Sequence, residues 1–312
     1  MRVLVTGATG FVMGNVARRL IARGDEVVAL VRDPSRAGAL ADLGATIVRG
    51  DLDHADALRR GMQGADAAIH GAAMYAVGIP ASRRPAMYAA NVQGTLRTLD
   101  TALTARVPRV VYVSTCAIFG NTHGAVVDES YARQGPFTSY YEETKVRAHE
   151  IALELAARGL GIVIVQPGGV YGPGDSSQLG GLMRRFVRSG MPVIAFADAG
   201  LNFVHVDDLA TGILLALDRG AVGRGYILGG ENARVADAFA ILARIARRRP
   251  PFALPYWPIE LAARVRLEIG ELITTARDVT FWTNDARARA ELAYAPRGLD
   301  TGLTDTYATL RT

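Results

Sequence analysis

Lys145 is the only lysine in a chain of 312 residues that holds 35 Lys and Arg together, so every other fixed positive side chain is an arginine. A lysine offers a compact ammonium with three rotatable donors, where arginine offers a planar fork. Keeping one lysine among arginines points to a chemical task. Tyr141 stands four residues earlier, in the stretch Thr138-Ser139-Tyr140-Tyr141-Glu142-Glu143-Thr144-Lys145. On a helix, side chains at i and i+4 lie one above the other on one face. An ammonium beside a phenol favours the phenolate and lowers a pKa that starts near ~10. Such a pair can give a proton to a carbonyl oxygen or take one from an alcohol near neutral pH. Tyr140 cannot fill the part, because its own i+4 neighbour is Thr144. The competing explanation is a solvated helix lysine, and the surrounding residues decide between the two.

Two further stretches carry chemistry. Thr6-Gly7-Ala8-Thr9-Gly10 follows a short apolar run and opens a helix pattern. There, glycine lets the backbone approach a pyrophosphate, and the helix N-terminus supplies N–H donors and positive potential. A tight strand-to-helix turn without a ligand is the alternative. Ser114-Thr115 closes another apolar run, which puts a hydroxyl at the carboxyl edge of a strand.

The elements that must position these residues alternate. Apolar runs at 2–6, 27–31, 45–48, 67–70, 110–114 and 162–166 read as buried strands. Helical patterns separate them, one ending near Gly24 and others over roughly 55–63, 86–105 and 139–158. Continuous β-branched strands separated by helices predict an α/β fold, a doubly wound parallel sheet covered on both faces. After Pro167 glycines break the rhythm. Helices near 205–218, 235–248, 258–276 and 284–292, with a strand at 225–228, read as a smaller C-terminal lobe interleaved with returns to the sheet. The expected division is 1–168 plus about 203–230 for a Rossmann domain, and 169–202 plus 231–312 for a substrate-binding lobe. A lobe above the carboxyl ends of a parallel sheet makes a ligand cleft.

Composition excludes several classes. Half the residues are hydrophobic and 21% are charged, as in soluble globular proteins. No apolar run approaches ~18 residues, so no membrane span is expected. A strand starting at residue 2 leaves no room for a signal peptide. The single Cys116 excludes an internal disulfide and fits a reducing, cytoplasmic setting. The net charge of +5 is modest, and the cluster Arg244, Arg247, Arg248 and Arg249 reads as a solvated helix end before Pro250-Pro251. Nucleic-acid binding would want a longer basic stripe with interleaved aromatics. The five histidines show no metal-ligand spacing, so no metal is expected.

Several motifs coincide with one family. They are Thr6-Gly7-Ala8-Thr9-Gly10-Phe11, Gly50-Asp51-Leu52, His70-Gly71-Ala72-Ala73, Asn91-Val92-Gln93-Gly94-Thr95, Ser114-Thr115, Tyr141-x-x-x-Lys145, Pro167-Gly168-Gly169-Val170-Tyr171-Gly172-Pro173-Gly174 and His205-Val206-Asp207-Asp208. Over nearly its whole length the chain resembles the extended short-chain dehydrogenases/reductases, the group of nucleotide-sugar epimerases and dihydroflavonol-reductase-like enzymes. The resemblance implies an enzyme with a dinucleotide cofactor and a small-molecule substrate. It implies that Thr115 hydrogen-bonds the substrate oxygen and that Tyr141 donates and accepts the proton. Lys145 would lower the Tyr141 pKa and hold the nicotinamide ribose. Asn91 would support the site, its plainer role being a buried helix hydrogen bond. Cofactor contacts are implied for Gly7, Thr9, Gly10, Phe11, Val12 and Met13, for Asp51 and Leu52 at the adenine, and for Gly71, Ala72, Ala73, Ser114, Pro167, Gly168 and Val170. Family members often form homodimers through helices that correspond here to 86–105 and 139–158.

One departure concerns the glycine turn. The family pattern has a third glycine where Met13 stands, with Gly14 one step late. That glycine normally lets the helix lie close to strand and cofactor. Met13 is therefore expected to leave cofactor binding in place but altered, the alternative being that it bends away while Gly14 relieves the packing. The cofactor choice rests on the end of the second strand. NAD enzymes place an acid there for the ribose 2′-hydroxyl, but here that position is Val31, followed by Arg32 and Arg36. Arginine binds a 2′-phosphate through charge-assisted hydrogen bonds. NADP(H) is the expected cofactor, with NAD(H) favoured instead if Asp33 turns inward.

Sugar-nucleotide members carry an arginine before the stretch that is Phe203-Val204-His205 here, where it grips the diphosphate; this chain has Leu201 and Asn202. The stretches 200–205 and 225–232 look more like the dihydroflavonol-reductase-like and hopanoid-associated subgroup. Tyr75, Val77, Phe137, Val170, Leu182 and Phe186, with Trp257 as a further candidate, are the expected cleft lining, though each alone could be plain core. As a set they favour a hydrophobic ketone, aldehyde or secondary alcohol. An NAD-dependent sugar epimerase or dehydratase, and a non-catalytic dinucleotide sensor, are the alternatives. A sensor has no need for Thr115, Tyr141 and Lys145 together.

Overall fold

The computed structural model describes residues 1–264 and 266–311. Its first half alternates β1 (Arg2–Thr6), α1 (Phe11–Ala22), β2 (Glu26–Val31), α2 (Gly38–Asp42), β3 (Thr46–Arg49), α3 (Ala55–Met62), β4 (Ala67–His70), α4 (Arg84–Tyr88), α5 (Gly94–Thr104), β5 (Arg109–Val113), α6 (Tyr140–Ala157) and β6 (Ile162–Pro167). The second half holds β7 (Gly169–Tyr171), α7 (Gln178–Ser189), β8 (Val193–Ile194), β9 (Gly200–His205), α8 (Val206–Arg219), β10 (Gly225–Leu228), β11 (Glu231–Arg234), α9 (Val235–Ile245), β12 (Phe252–Ala253), α10 (Tyr256–Ala263), α11 (Leu267–Ala276), α12 (Ala286–Leu292) and α13 (Leu299–Arg311).

Seven strands form one sheet in the order β10-β6-β5-β4-β1-β2-β3, every neighbouring pair parallel. Side chains alternate across it. Val3 and Val5 of β1 join α1 and α8 in one core, while Leu4 joins α3, α5 and α6 in the other. Both faces are covered, which explains the uninterrupted apolar runs. The strand order reverses between β1 and β4, and ligands bind at such a switch point, beyond the carboxyl ends. Two smaller sheets, β11-β9-β7 and β12-β8, lie outside this one. A third core, with Phe186, Phe203, Phe239 and Leu303, holds α7, α9 and α13 together.

Three expectations are refined. The helix expected over 86–105 is α4, then a π-helical turn over Ala89–Gln93, then α5. The helix expected over 258–276 is two helices, α10 and α11; Val265 between them, like Thr312, lies outside the described residues. α7 falls in the stretch after Pro167 whose rhythm glycines break, Gly180-Gly181 among them, and Ser177 caps it by accepting from Gly180 N at 3.1 Å. Among the described residues no helix is long and apolar enough to cross a membrane.

Candidate active site

The glycine turn lies at the switch point. Gly7 adopts a positive φ of +78°, and a Cβ there would stand 3.0 Å from the Ala72 backbone, so no larger residue fits. Gly10 begins α1 without a side-chain cap, and no acidic residue follows in the first turn. The first N–H groups of the helix thus lack a side-chain acceptor and form a cradle for an anion. Thr9 is exposed there, while Phe11 and Val12 are half-buried. Met13 is 3% exposed. Its thioether occupies the room that a side chain at Gly71 would fill, since a Cβ on Gly71 would stand 2.3 Å from the Met13 sulfur. Gly71 therefore accommodates Met13 at the end of β4. Ala72 is half-buried and Ala73 exposed beside it.

A cavity of about 800 Å³ at the ends of β2 and β3 is lined by Arg32, Arg49, Asp51, His54, Arg59 and Arg60 among others. Arg36 is exposed one turn beyond Arg32 and does not line it. The Asp33 carboxylate accepts from Ser35 N at 3.1 Å and Ser35 Oγ at 2.7 Å, so it is committed to its own turn. Asp51 accepts from Leu52 N at 2.8 Å, and Leu52 is buried against Gly94. Sequence reasoning missed Arg49, Arg59 and Arg60; the signal was an arginine ending β3 and a pair ending α3, all on the side of Arg32.

Ser139 starts α6 by accepting from Glu142 N at 3.1 Å, which sets Tyr141 and Lys145 one turn apart on the same helix. Thr115, just past β5, accepts from Ala117 N at 3.2 Å, and its hydroxyl stands on the Tyr141 side, where it favours the ionised phenol. The Tyr75 ring meets Tyr141 edge-on with centroids 4.9 Å apart. Lys145 is buried; its Nζ donates to Val113 O at 3.1 Å and to Tyr112 Oη at 3.3 Å. Burial lowers its pKa to about 8. The expected depression of the Tyr141 pKa is not found. Burial raises it, the Tyr75 phenol adds to the rise, and the Thr115 hydroxyl only opposes it. The lysine is directed to Tyr112 and the Val113 carbonyl, and burial sets the direction at the phenol.

Neighbouring residues hold this group. Asn91, in the π turn, accepts from Met74 N at 2.7 Å and donates to Met74 O and Thr144 Oγ1, both at 3.0 Å. It ties the segment after β4 to the turn between Tyr141 and Lys145. Glu142 is buried and accepts from Arg133 Nε at 3.0 Å and Thr138 N at 2.9 Å. From α11, Thr275 donates to Thr138 O at 3.1 Å, and Glu271 accepts from Tyr140 N. Ser114, expected at the cofactor, is buried with its Oγ 3.1 Å from His149 Nδ1.

A buried polar network beneath the site went unread in the sequence. His70 Nδ1 lies 2.8 Å from Thr6 Oγ1, and its Nε2 lies 3.1 Å from Thr95 Oγ1. Thr95 donates to Asn91 O at 2.7 Å. Burial, with the Lys145 charge second, pushes His70 down to about 3. The unfolded imidazole protonates near ~6.5, so below that pH the unfolded chain binds more protons, and stability present above it is lost as pH falls. The urea midpoint is expected to drop between pH 6.5 and pH 4, and His70→Gln to flatten that drop; an equally steep drop in the variant would remove His70 as its source.

On the substrate side Tyr75 is 63% exposed and Phe137 is 43% exposed under the Arg133 guanidinium. Val77 is half-buried near Gly78, which α11 covers through Glu268 O and Leu272. Phe186 is a correction: it is fully buried in the third core, edge-on to Phe239 at 5.5 Å, and faces no cleft. Its place on the buried face of α7 explains this, and Leu182 leans on the same core while staying half-exposed. Trp257 is 68% exposed on α10. Pro167 ends β6, and a Cβ on Gly168 would collide with Asn202 O, while Val170 packs against the core of α1 and α8.

Comparison with known proteins gives the family and the fold. Residues 3–229 match the model of the NAD dependent epimerase/dehydratase family. The chain is 40% identical over 264 residues to a putative dihydroflavonol 4-reductase of Synechocystis, covering 81% of this chain and 75% of that protein. It is 31% identical over 327 residues to 4-hydroxy-2-methyl-3-oxo-4-farnesyl-3,4-dihydroquinoline-1-oxide ketoreductase of Stigmatella aurantiaca, covering 95% and 92%. The crystal structure of gox2253 superposes with a TM-score of 0.85 at 34% identity, covering 99% of this chain and 97% of that one. Glycine turn, doubly wound sheet and Thr-Tyr-Lys group thus occur in one chain with matching relatives: it belongs to the NAD dependent epimerase/dehydratase family, among the extended short-chain dehydrogenases/reductases.

Proposed function

We propose that the chain is an NADP(H)-dependent oxidoreductase that interconverts a hydrophobic ketone or aldehyde and its alcohol, with Tyr141 as proton donor. The observation that carries this is the Tyr141 phenol beside Thr115, one turn of α6 from the only lysine of the chain. When bound, the nicotinamide supplies the hydride. The chain's residues do the rest. Thr115 and Tyr141 hold the carbonyl oxygen, and Tyr141 passes it the proton. Its raised pKa keeps the phenol protonated, the state that reduction requires. Lys145 keeps a positive charge beneath. Met13 acts on the cofactor only through Gly71.

The apolar, aromatic character of Tyr75, Val77 and Phe137 supports a hydrophobic substrate, as do relatives named as a dihydroflavonol reductase and a farnesyl-quinoline ketoreductase. The position that would grip a sugar diphosphate is unfit for it: Asn202 is buried, accepting from Gly230 N at 2.7 Å and donating to Asn232 Oδ1 at 2.8 Å. A homodimer through the outer faces of α5 and α6, where Leu96 and Leu153 are exposed, fits the same reading.

Arg32 and Arg49 at the cavity, with Asp33 engaged by Ser35, support NADP(H). Hydrogen bonds to charged groups contribute about 1.5–3 kcal/mol, so Arg32→Ala is expected to lower kcat/KM for NADPH by roughly 10- to 100-fold and to leave NADH little changed. Steady-state kinetics with both cofactors and a panel of aryl ketones test this. A higher kcat/KM for NADH in the wild type would reject the NADP(H) assignment, and binding without turnover of any ketone would favour a sensor.

A further inference from the structure

The outer rim of the C-terminal lobe is apolar where a solvated face would be polar. On α10 the exposed residues are Trp257, Glu260, Leu261 and the capping Arg264. Their spacing of i, i+3, i+4 and i+7 is one face of a helix. Trp257 is 68% exposed and Leu261 59%. The other face is held: the Tyr256 hydroxyl donates to Asp198, and its ring meets Phe196 with centroids 6.1 Å apart. Phe252 on β12 is 78% exposed, and its register partner Val193 on β8 is 43% exposed. Phe252 and Trp257 are joined by at most about 18 Å of extended chain. Single exposed hydrophobics are ordinary, but several large ones on adjoining elements mark an interaction surface. α10 packs on α11, which covers Gly78 and binds Thr138 O, so this rim adjoins the cleft.

The charge around the rim is one-sided. Residues 244–266 carry six arginines and one acid, Glu260. Glu260 is paired with Arg277, and Arg244 with Asp300. Arg247, Arg249, Arg264 and Arg266 are exposed and make no ion pair among the described residues. A cavity of about 460 Å³ reached from the same stretch is lined by Arg188, Arg248, Arg311 and Tyr307, with no carboxylate. Helix ends explain part of this: Arg188 and Arg248 stand where α7 and α9 finish, and Arg248 donates to Arg188 O at 3.2 Å. They leave the four unpaired arginines unexplained. A second copy of the chain would bring the same arginines face to face in a two-fold contact, so charge favours an anionic partner. Aromatic side chains flanked by arginine suit the headgroup region of a bilayer, where rings enter the acyl boundary and guanidinium groups meet phosphate.

We propose that α10 and the β8–β12 edge dock on an anionic membrane surface, with Phe252, Trp257 and Leu261 entering the interface and the surrounding arginines binding lipid phosphates. The helix lies on the bilayer and does not cross it, having only 8 residues. The proposal goes beyond the oxidoreductase reading, and its test needs no turnover.

The full chain is sedimented with sucrose-loaded vesicles of phosphatidylcholine alone and of phosphatidylcholine mixed with phosphatidylglycerol. Binding is expected on the anionic vesicles and at least about tenfold weaker on the neutral ones. Each basic residue near an anionic surface contributes roughly fivefold, so Arg247→Gln with Arg249→Gln is expected to weaken binding by about 25-fold. Trp257→Ser with Leu261→Ser is expected to weaken it at least about tenfold by removing the inserted side chains. All four positions are exposed, so unchanged melts are expected and show that the fold is kept. Brominated lipid is expected to quench the fluorescence of wild type but not of Trp257→Phe, since Trp282 Nε1 is buried. No binding to anionic vesicles, or equal binding by wild type and both double variants, overturns the proposal. A dimer that Trp257→Ser with Leu261→Ser dissociates, seen by analytical ultracentrifugation with no vesicle binding, overturns it too and assigns the face to a second copy.

Discussion

Tyr141→Phe is expected to lower kcat for ketone reduction by about 10²- to 10⁴-fold, the range for removing a positioned general acid. The Kd for NADPH should change less than about twofold. The substitution keeps the ring, so its edge-on contact with Tyr75 and its place on α6 survive, and volume-conserving changes of this kind are well tolerated. What is lost is the hydroxyl beside Thr115 that would deliver the proton. Single-turnover kinetics and a fluorescence titration separate the two effects. Near-wild-type turnover would show that the proton comes from elsewhere. A large rise in Kd would show that the phenol serves binding instead.

Lys145→Met is expected to abolish turnover to a similar degree while raising the Tm at pH 7. The ammonium is buried, and its pKa is lowered from the usual 10.5 to about 8 by desolvation alone. Burying a charge costs stability, and methionine fills similar space without it. The sign follows from linkage. Between about 8 and 10.5 the unfolded lysine is protonated and the folded one is not, so wild-type stability rises with pH across that window. The advantage of the variant should therefore shrink from pH 8 upward. The lost bonds to Tyr112 and Val113 O work against the gain at about 1 kcal/mol each. Thermal melts of both proteins from pH 7 to pH 10 check this. A variant less stable than wild type at pH 7 would mean that the two bonds outweigh desolvation. A functional residue held at a cost in stability is the usual trade-off.

Much of this arrangement was legible in the residues. The apolar runs that became β1, β2, β4, β5 and β6 lie inside the sheet under both layers, so their signal was continuous and strong, whereas β3 is the partly exposed edge strand. The glycine turn and the pair Tyr141 and Lys145 were readable because their spacing is local: a strand-to-helix turn and one helical turn. What escaped was non-local. The network of Thr6, His70 and Thr95, with Tyr112 stacked on His70, joins residues far apart in sequence, and the parallel register of β1, β4 and β5 with α5 packed over it brings them together. Met13 could be flagged as a departure, but the vacancy it fills belongs to Gly71, which β4 carries to it. Phe186 read as cleft lining because an isolated aromatic gives no sign of which helix face it occupies, and α7 itself was unseen. The pKa of Tyr141 was misjudged for a related reason: helix spacing gives proximity to Lys145, but burial, which decides the sign, depends on Tyr75 and the surrounding fold.

The most direct measurement of the proposed chemistry follows the hydride. NADPH deuterated at the transferring C4 position is incubated with the enzyme and a hydrophobic aryl ketone, and the products are analysed by mass spectrometry. The expected result is one deuterium in each alcohol formed, with one NADP⁺ per alcohol, and no such product with Tyr141→Phe. An epimerised sugar nucleotide formed with no net cofactor oxidation, alongside ketones left unlabelled, would contradict the reductase and establish the epimerase instead.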